Sequence, residues 1–185
     1  MQWYVAINML ALAGNETMSI VSDRYQNIFA GKTGRIASGH FISVAAHQDK
    51  VYSTHNESHQ TQVFQHNHRT SPRWQQLRSI DHDFETKGYT LTLSISNNQL
   101  KCSSARDGVV KVYSLSGELL RTYGTRGSGD AGRLDCPYIS DDDDDGSVLI
   151  VDQGPVRQLI ALPARSACSL GSWRTFLVEC TTAIP

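Results

Sequence analysis

"SDDDDDGSVLIVD", residues 140–152, places five aspartates and a glycine directly before a run of apolar, mostly β-branched residues. Asp141, Asp143 and Asp145, with Gly146 at the sixth place, match the start of a helix–loop–helix calcium loop, and Asp152 falls at the twelfth. Such a loop needs a helix on each side. Here the flanks are "CPYIS" (136–140) and "SVLIVD" (147–152), both strand-like. Aspartate and glycine tolerate the left-handed backbone of a tight reversal, so the run reads as the turn of a β-hairpin. It is a turn between two strands.

The same arrangement recurs along the chain. "KVYSTH" (50–55), "QLKCSS" (99–104) and "SVLIVD" (147–152) align, with Val51, Leu100 and Val148 repeating at intervals of about 50 residues. A strand-like run precedes each: "HFISVAA" (40–46), "YTLTLSIS" (89–96) and "CPYIS". Polar turns, "HQD", "NNQ" and "DDDDDG", join the two runs. A third run follows in each unit: "TQVFQH" (61–66), "GVVKVYSL" (108–115) and "VRQLIAL" (156–162). The fourth is "RWQQLRSI" (73–80), "GELLRTYG" (117–124) and "SWRTFLVE" (172–179), marked by Trp74, Leu120 and Phe176. Four short strands in a unit of about 45 residues is the arithmetic of a β-propeller blade. Upstream, "NIFAGKTGRIASGHFIS" (27–43) parallels "RTYGTRGSGDAGRLDCPYIS" (121–140), which makes Asn27 to Ala30 the outer strand of a preceding blade. The expected fold is all-β: a propeller of four-stranded antiparallel blades forming an incomplete ring. One domain spans 1–185, with blades at about 1–30 (partial), 38–80, 89–124 and 136–179. Helix-period patterning and helix caps are absent from the sequence.

The third unit resembles an NHL repeat. Its aromatic-Gly pair, Gly-rich connector, "L..P", "D.DG..L.VD" and downstream arginine are carried by Tyr123, Gly124, Gly127, Gly129, Gly132, Leu134, Pro137, Asp145, Gly146, Val151, Asp152, Gly154 and Arg157. Pro155 departs from the family's usual Asn. In the other units His55 and Ser104 stand where Asp152 stands, and Gln60 and Val109 where Arg157 stands. The match is specific over residues 118–162. The resemblance implies a non-enzymatic scaffold that binds other proteins, as in tripartite-motif proteins. RNA recognition, and a metal-dependent propeller hydrolase or lyase, are the alternatives that related propellers suggest. NHL repeats usually close six blades, so an arc of about four implies open edges and self-association through the "WYVAIN" (3–8) and "WRTFLVE" (173–179) ends.

Composition narrows the field. The chain has 185 residues, 39% hydrophobic, with a formal net charge of −1. A near-zero charge supplies no overall field for steering toward nucleic acid or an anionic membrane. The apolar stretch "WYVAINMLALAG" (3–14) is too short to span a bilayer and lacks the basic residues that open a secretory signal, so no membrane partner is expected. Cys102, Cys136, Cys168 and Cys180 form no C-x-x-C pair and read as free thiols. Glycosylation acceptors at Asn15 and Asn56 keep an extracellular setting in view, with a cytoplasmic one favoured.

No catalytic, cofactor or metal residues are singled out. The seven histidines (His40, His47, His55, His59, His66, His68, His82) cluster around one blade. The β pattern gives them no convergent geometry, so they read as surface and loop residues. "GKTG" (31–34) lacks the frame of a phosphate loop. The candidate partner-binding residues are the basic ones on the inter-strand loops: Arg126, Arg133, Arg106, Lys32 and Arg35. Aspartates at 81, 83, 107, 130 and 135 share those loops, so the sequence shows no uniform basic patch. Stacking aromatics are sparse there, Tyr138 being the main one.

Overall fold

Short runs rich in β-branched and aromatic residues, each ended by a turn residue, leave the chain no way to build a core except by pairing neighbours in sequence. A computed structural model describes residues 20–23, 27–30, 34–38, 41–55, 60–67, 74–85, 90–127, 132–142, 148–153, 158–162 and 174–177. The regular structure of these residues is all β. The chain divides into two compact units, residues 1–95 and 96–185.

The first unit opens with β1 (Ile20–Asp23), β2 (Asn27–Ala30) and β3 (Gly34–Ser38), a three-stranded antiparallel sheet in that order. This corrects the expectation for Asn27–Ala30, which is a middle strand paired on both edges and not an outer one. The reason is the pairing of the strand that follows. Three residues separate β2 from β3, which returns antiparallel on the free edge of β2, whereas in the stretch at 121–140 the next strand, Thr125–Arg126, pairs with Arg133–Leu134 instead.

Next come β4 (Phe41–His47), β5 (Lys50–His55), β6 (Gln60–His66) and β7 (Trp74–Asp81), a four-stranded antiparallel meander. β4 alternates buried and half-buried residues from Phe41 to Ala45, the period-two signature of a strand with one face inward. Gln48 turns the chain between β4 and β5 with φ 55°, a left-handed backbone in a non-glycine residue. A bulge between Phe41 and Ser43 interrupts the ladder, and side chains take over its hydrogen bonds. The Ser43 N–H donates to Thr54 Oγ1 (3.2 Å), Ser53 Oγ donates to the Ser43 carbonyl (3.2 Å), and the Leu93 N–H donates to Ser43 Oγ (3.0 Å).

A second four-stranded sheet is made by β8 (Thr90–Ser96), β9 (Gln99–Ser104), β10 (Val109–Ser114) and β11 (Leu119–Tyr123). Asn97 and Asn98, at φ 49° and 56°, make the two-residue reversal with both centres left-handed that suits the twist of a hairpin. Bulges fall at matching places in the two sheets, Val63/Phe64 and Val112/Tyr113, so the repeat extends to its irregularities. A short parallel pair follows, β12 (Thr125–Arg126) with β13 (Arg133–Leu134). The last sheet is β14 (Pro137–Asp142), β15 (Val148–Asp152), β16 (Gln158–Leu162) and β17 (Arg174–Leu177).

Asp141 and Asp142 belong to β14, opposite Leu149 and Val148, so the aspartate run begins inside the strand rather than after it. β14 and β15 are consecutive and antiparallel, as a hairpin requires, and residues 143–147 between them lie outside the described set. The core of the second unit joins Val110, Leu134, Ile139, Val148, Ile150 and Ile160, with Tyr123 packed against it. Leu134, on the connector between the β8–β11 sheet and the last sheet, is fully buried. The "WYVAIN" end lies outside the described residues, as do the glycosylation acceptors Asn15 and Asn56, Arg157, and the cysteines Cys168 and Cys180.

Candidate functional site

Two backbone segments of the second unit build the candidate site. The first is the turn from β9 to β10. There Ser104 Oγ accepts the Asp107 N–H (3.2 Å), and Gly108 completes the turn at φ 61°. The second is the β12–β13 pair, where the Thr125 N–H donates to the Gly132 carbonyl (2.9 Å) and the Gly127 N–H to that of Leu134 (3.0 Å). Gly108 lies against this pair. A Cβ added there would strike the Leu134 carbonyl oxygen and stand 2.6 Å from Arg126 Cα. Only glycine combines that close approach with a positive φ. The turn carrying Arg106 therefore abuts the strand carrying Arg126, and Arg133 is the next strand's first residue.

Arg106, Arg126 and Arg133 are all exposed. Gly127, at φ 147°, leaves room for the Arg133 stem, whose Cδ lies 2.8 Å from where a Cβ would be. The acids of the same segments are placed differently: Asp107 and Asp135 are half-buried. Among the described residues of these segments, charge is thus sorted by depth, which a linear reading of alternating Arg and Asp does not reveal. Of the other two candidate residues, Arg35 has its backbone on β3 in the first unit, and Lys32 lies outside the described residues.

Asp152, at the end of β15, is buried at 2% exposure. Its carboxylate accepts the Cys136 N–H (2.7 Å) and the Asp135 N–H (3.1 and 3.2 Å to its two oxygens). The Gln153 N–H returns a bond to the Cys136 carbonyl (3.0 Å). Asp152 is therefore a tie between the segment entering the last sheet and the end of β15. Its side chain is turned back onto residues 135 and 136. Tyr138, the second residue of β14, is hydrogen-bonded to the Cys136 side chain. Burial pushes the Cys136 thiol above its ordinary range; the Asp152 and Asp135 carboxylates add to this and a hydrogen bond with Tyr138 opposes it. Burial likewise raises Tyr138, with Cys136 adding to it. This thiol stays protonated and weakly nucleophilic at neutral pH.

The histidines are not all peripheral. His82 is fully buried, its Nε2 2.6 Å from Thr61 Oγ1 and its ring edge-on to Phe84 at 5.4 Å. This corrects the surface-and-loop reading for that residue: the Thr61 hydroxyl satisfies one ring nitrogen, and the aromatic ring covers the apolar part. His66 tilts against Trp74 at 4.9 Å. Among the described residues, no group of three or more His, Cys, Asp or Glu side chains is placed to hold a metal ion. Nor does any helix among them have the length and apolarity to cross a membrane.

No family model and no curated protein is similar to this chain in sequence. Solved structures are similar in fold. A Bacteroides caccae protein of unknown function matches 86% of the chain with 57% of its own length, at 12% identity and a TM-score of 0.59. Glutaminyl cyclase of Myxococcus xanthus matches 85% of the chain with 66% of its own, at 11% identity and a TM-score of 0.54. A Bacteroides fragilis protein, described as a candidate 6-phosphogluconolactonase, matches 92% with 53% of its own, at 16% identity and a TM-score of 0.51. The chain thus spans between about half and two thirds of the length of these proteins. At such identities the likeness concerns fold alone. It is a β-propeller likeness, in agreement with the four-stranded antiparallel sheets.

Proposed function

We propose that the chain is a non-enzymatic interaction module of the NHL-propeller type, and that Arg106, Arg126 and Arg133 form the face on which it meets a protein partner. The observation that carries this reading is the seat of Gly108 on the Arg126 backbone, which sets the turn of Arg106 against the strand of Arg126. Loops held by a rigid scaffold are where recognition residues concentrate. The NHL element of the reading draws support from Leu134, Pro137 and Asp152. These motif positions are occupied here by a core residue, the first residue of β14 and the carboxylate tie.

The test is affinity capture with the wild-type chain and with the double variant Arg126→Glu/Arg133→Glu, each checked by circular dichroism. Exposed charges contribute little to stability, so the variant should keep the wild-type spectrum and melt. Partners retained by the wild type and lost by the variant are the expected result. An identical set of captured proteins would overturn the assignment of this face.

A further inference from the structure

We infer that β7 and β11 carry built-in guards against strand addition by a second copy of this chain. The guards are Leu77 and Leu120, each an extra residue that puts an open sheet border out of step with an incoming strand. In each of the five bulges among the described ladders, the unpaired residue lies on a strand at the border of its sheet. These residues are Ile36 on β3, Ile42 on β4, Leu77 on β7, Leu120 on β11 and Ser140 on β14. The ladders between two interior strands, β5–β6, β9–β10 and β15–β16, run without a bulge. A bulge that served only the twist of a sheet would have no reason to keep to its border.

β7 and β11 are the borders most in need of one. Gln75 to Ser79 on β7 are consecutive exposed residues with a single charge and no proline. Among the described residues the exposed large hydrophobics are Leu77, Leu119 and Leu120, all on these two strands. An exposed border of that composition is a template for strand addition. In the register, Phe64 faces Gln76 and Val63 faces Arg78, so Leu77 has no opposite number. Tyr113 faces Leu119 and Val112 faces Arg121, which leaves Leu120 in the same position. Both extra leucines precede an arginine and a hydroxyl residue, Leu77-Arg78-Ser79 and Leu120-Arg121-Thr122, so motif and bulge recur together. Peptide groups point alternately to the two sides of a strand, and one inserted residue shifts that alternation by one. A strand aligned on Trp74–Gln76 is therefore out of step over Arg78–Asp81, and one aligned on Arg121–Tyr123 is out of step at Leu119.

Deleting the extra residue tests this. Full chains lacking Leu77 or Leu120 are compared with the wild type by circular dichroism and by sedimentation velocity at equal micromolar concentrations. Each deletion should keep the β spectrum and sediment faster than the wild type, increasingly so as concentration rises. Adding Ser79→Lys to the Leu77 deletion should reverse the shift, because a charge at a sheet border opposes strand addition. Leu77→Lys and Leu120→Lys keep the bulge and should sediment as the wild type does. Deletion variants that fold and sediment like the wild type would overturn the inference. So would loss of the β spectrum in both deletions, which would make the extra residue a requirement of the sheet itself. A wild-type chain whose association is abolished by the lysine variants would show the leucines to be contacts rather than guards, and would sink it too.

Discussion

Asp152 shows how much one side chain can organise. A buried carboxylate is stable only when its oxygens are satisfied, and here two backbone amides from residues 135 and 136 do so. Those amides in turn need the carboxylate, because they lie where the chain crosses between sheets and has no ladder to donate to. Asp152→Asn should destabilise the protein by about 1–3 kcal/mol, since one oxygen is replaced by an NH2 that confronts an N–H donor. Urea denaturation of the two proteins measures the difference; an unchanged midpoint would mean that the tie contributes nothing net. In sequence, Asp152 is visible as a repeat position. Its direction is not, because strand alternation says which face a residue takes but not that a terminal carboxylate folds back onto the preceding connector. His82 was hidden for a related reason: nothing in "IDHDF" announces that a threonine twenty-one residues away supplies its partner.

At the scale of strands and turns the sequence was informative wherever pattern and turn chemistry agreed. "NNQ" and "HQD" mark reversals, and the structure places left-handed residues at Asn97, Asn98 and Gln48. Reading failed where an element's role depends on what it pairs with. The run Asn27–Ala30 looks the same whether it is an edge or a middle strand, and only the pairing of β3 along its second edge distinguishes the two. The aspartate run was legible as hairpin chemistry but not in its starting point, because β14 continues through Asp141 and Asp142. Strands on both sides give a calcium loop no helical frame. Calcium should therefore leave the melting temperature unchanged, and Asp141→Asn/Asp143→Asn/Asp145→Asn should match the wild type within about 0.5 kcal/mol. A cation at a hundred times its dissociation constant would add about 2.7 kcal/mol, so differential scanning calorimetry would expose a calcium site readily.

For the whole molecule, three buried or half-buried acids point the same way with pH. Burial raises Tyr52, with Asp49 reinforcing and Arg78 opposing it, and burial also raises Cys136 and Tyr138. A raised value means that the folded state holds its proton more tightly than the unfolded chain. The stability this confers is full below the unfolded values, about 8.5 for a thiol and 10 for a phenol, and is lost as pH rises through the folded ones. Melting temperature should therefore fall progressively from about pH 8.5 upward, and Cys136→Ser together with Tyr138→Phe should blunt the fall. A flat profile to pH 11 would contradict it. The all-β character and the repeat were legible from recurring strand runs alone. The approach of the Arg106 turn to the strand of Arg126 was not, since it depends on a glycine in one loop admitting the backbone of another.

That glycine contact has an evolutionary corollary. Gly108 meets Arg126 through the arginine's Cα and N, and Gly124 is filled by the Leu134 side chain. The frame around this face is thus written in main-chain atoms and one leucine, while the identity of the exposed side chain at 126 is not part of it. Position 126 is free to mutate where 108, 124 and 134 are locked. A lineage could exchange one binding preference for another here without passing through an unfolded intermediate, and a designer could do the same by varying the address and leaving the scaffold untouched.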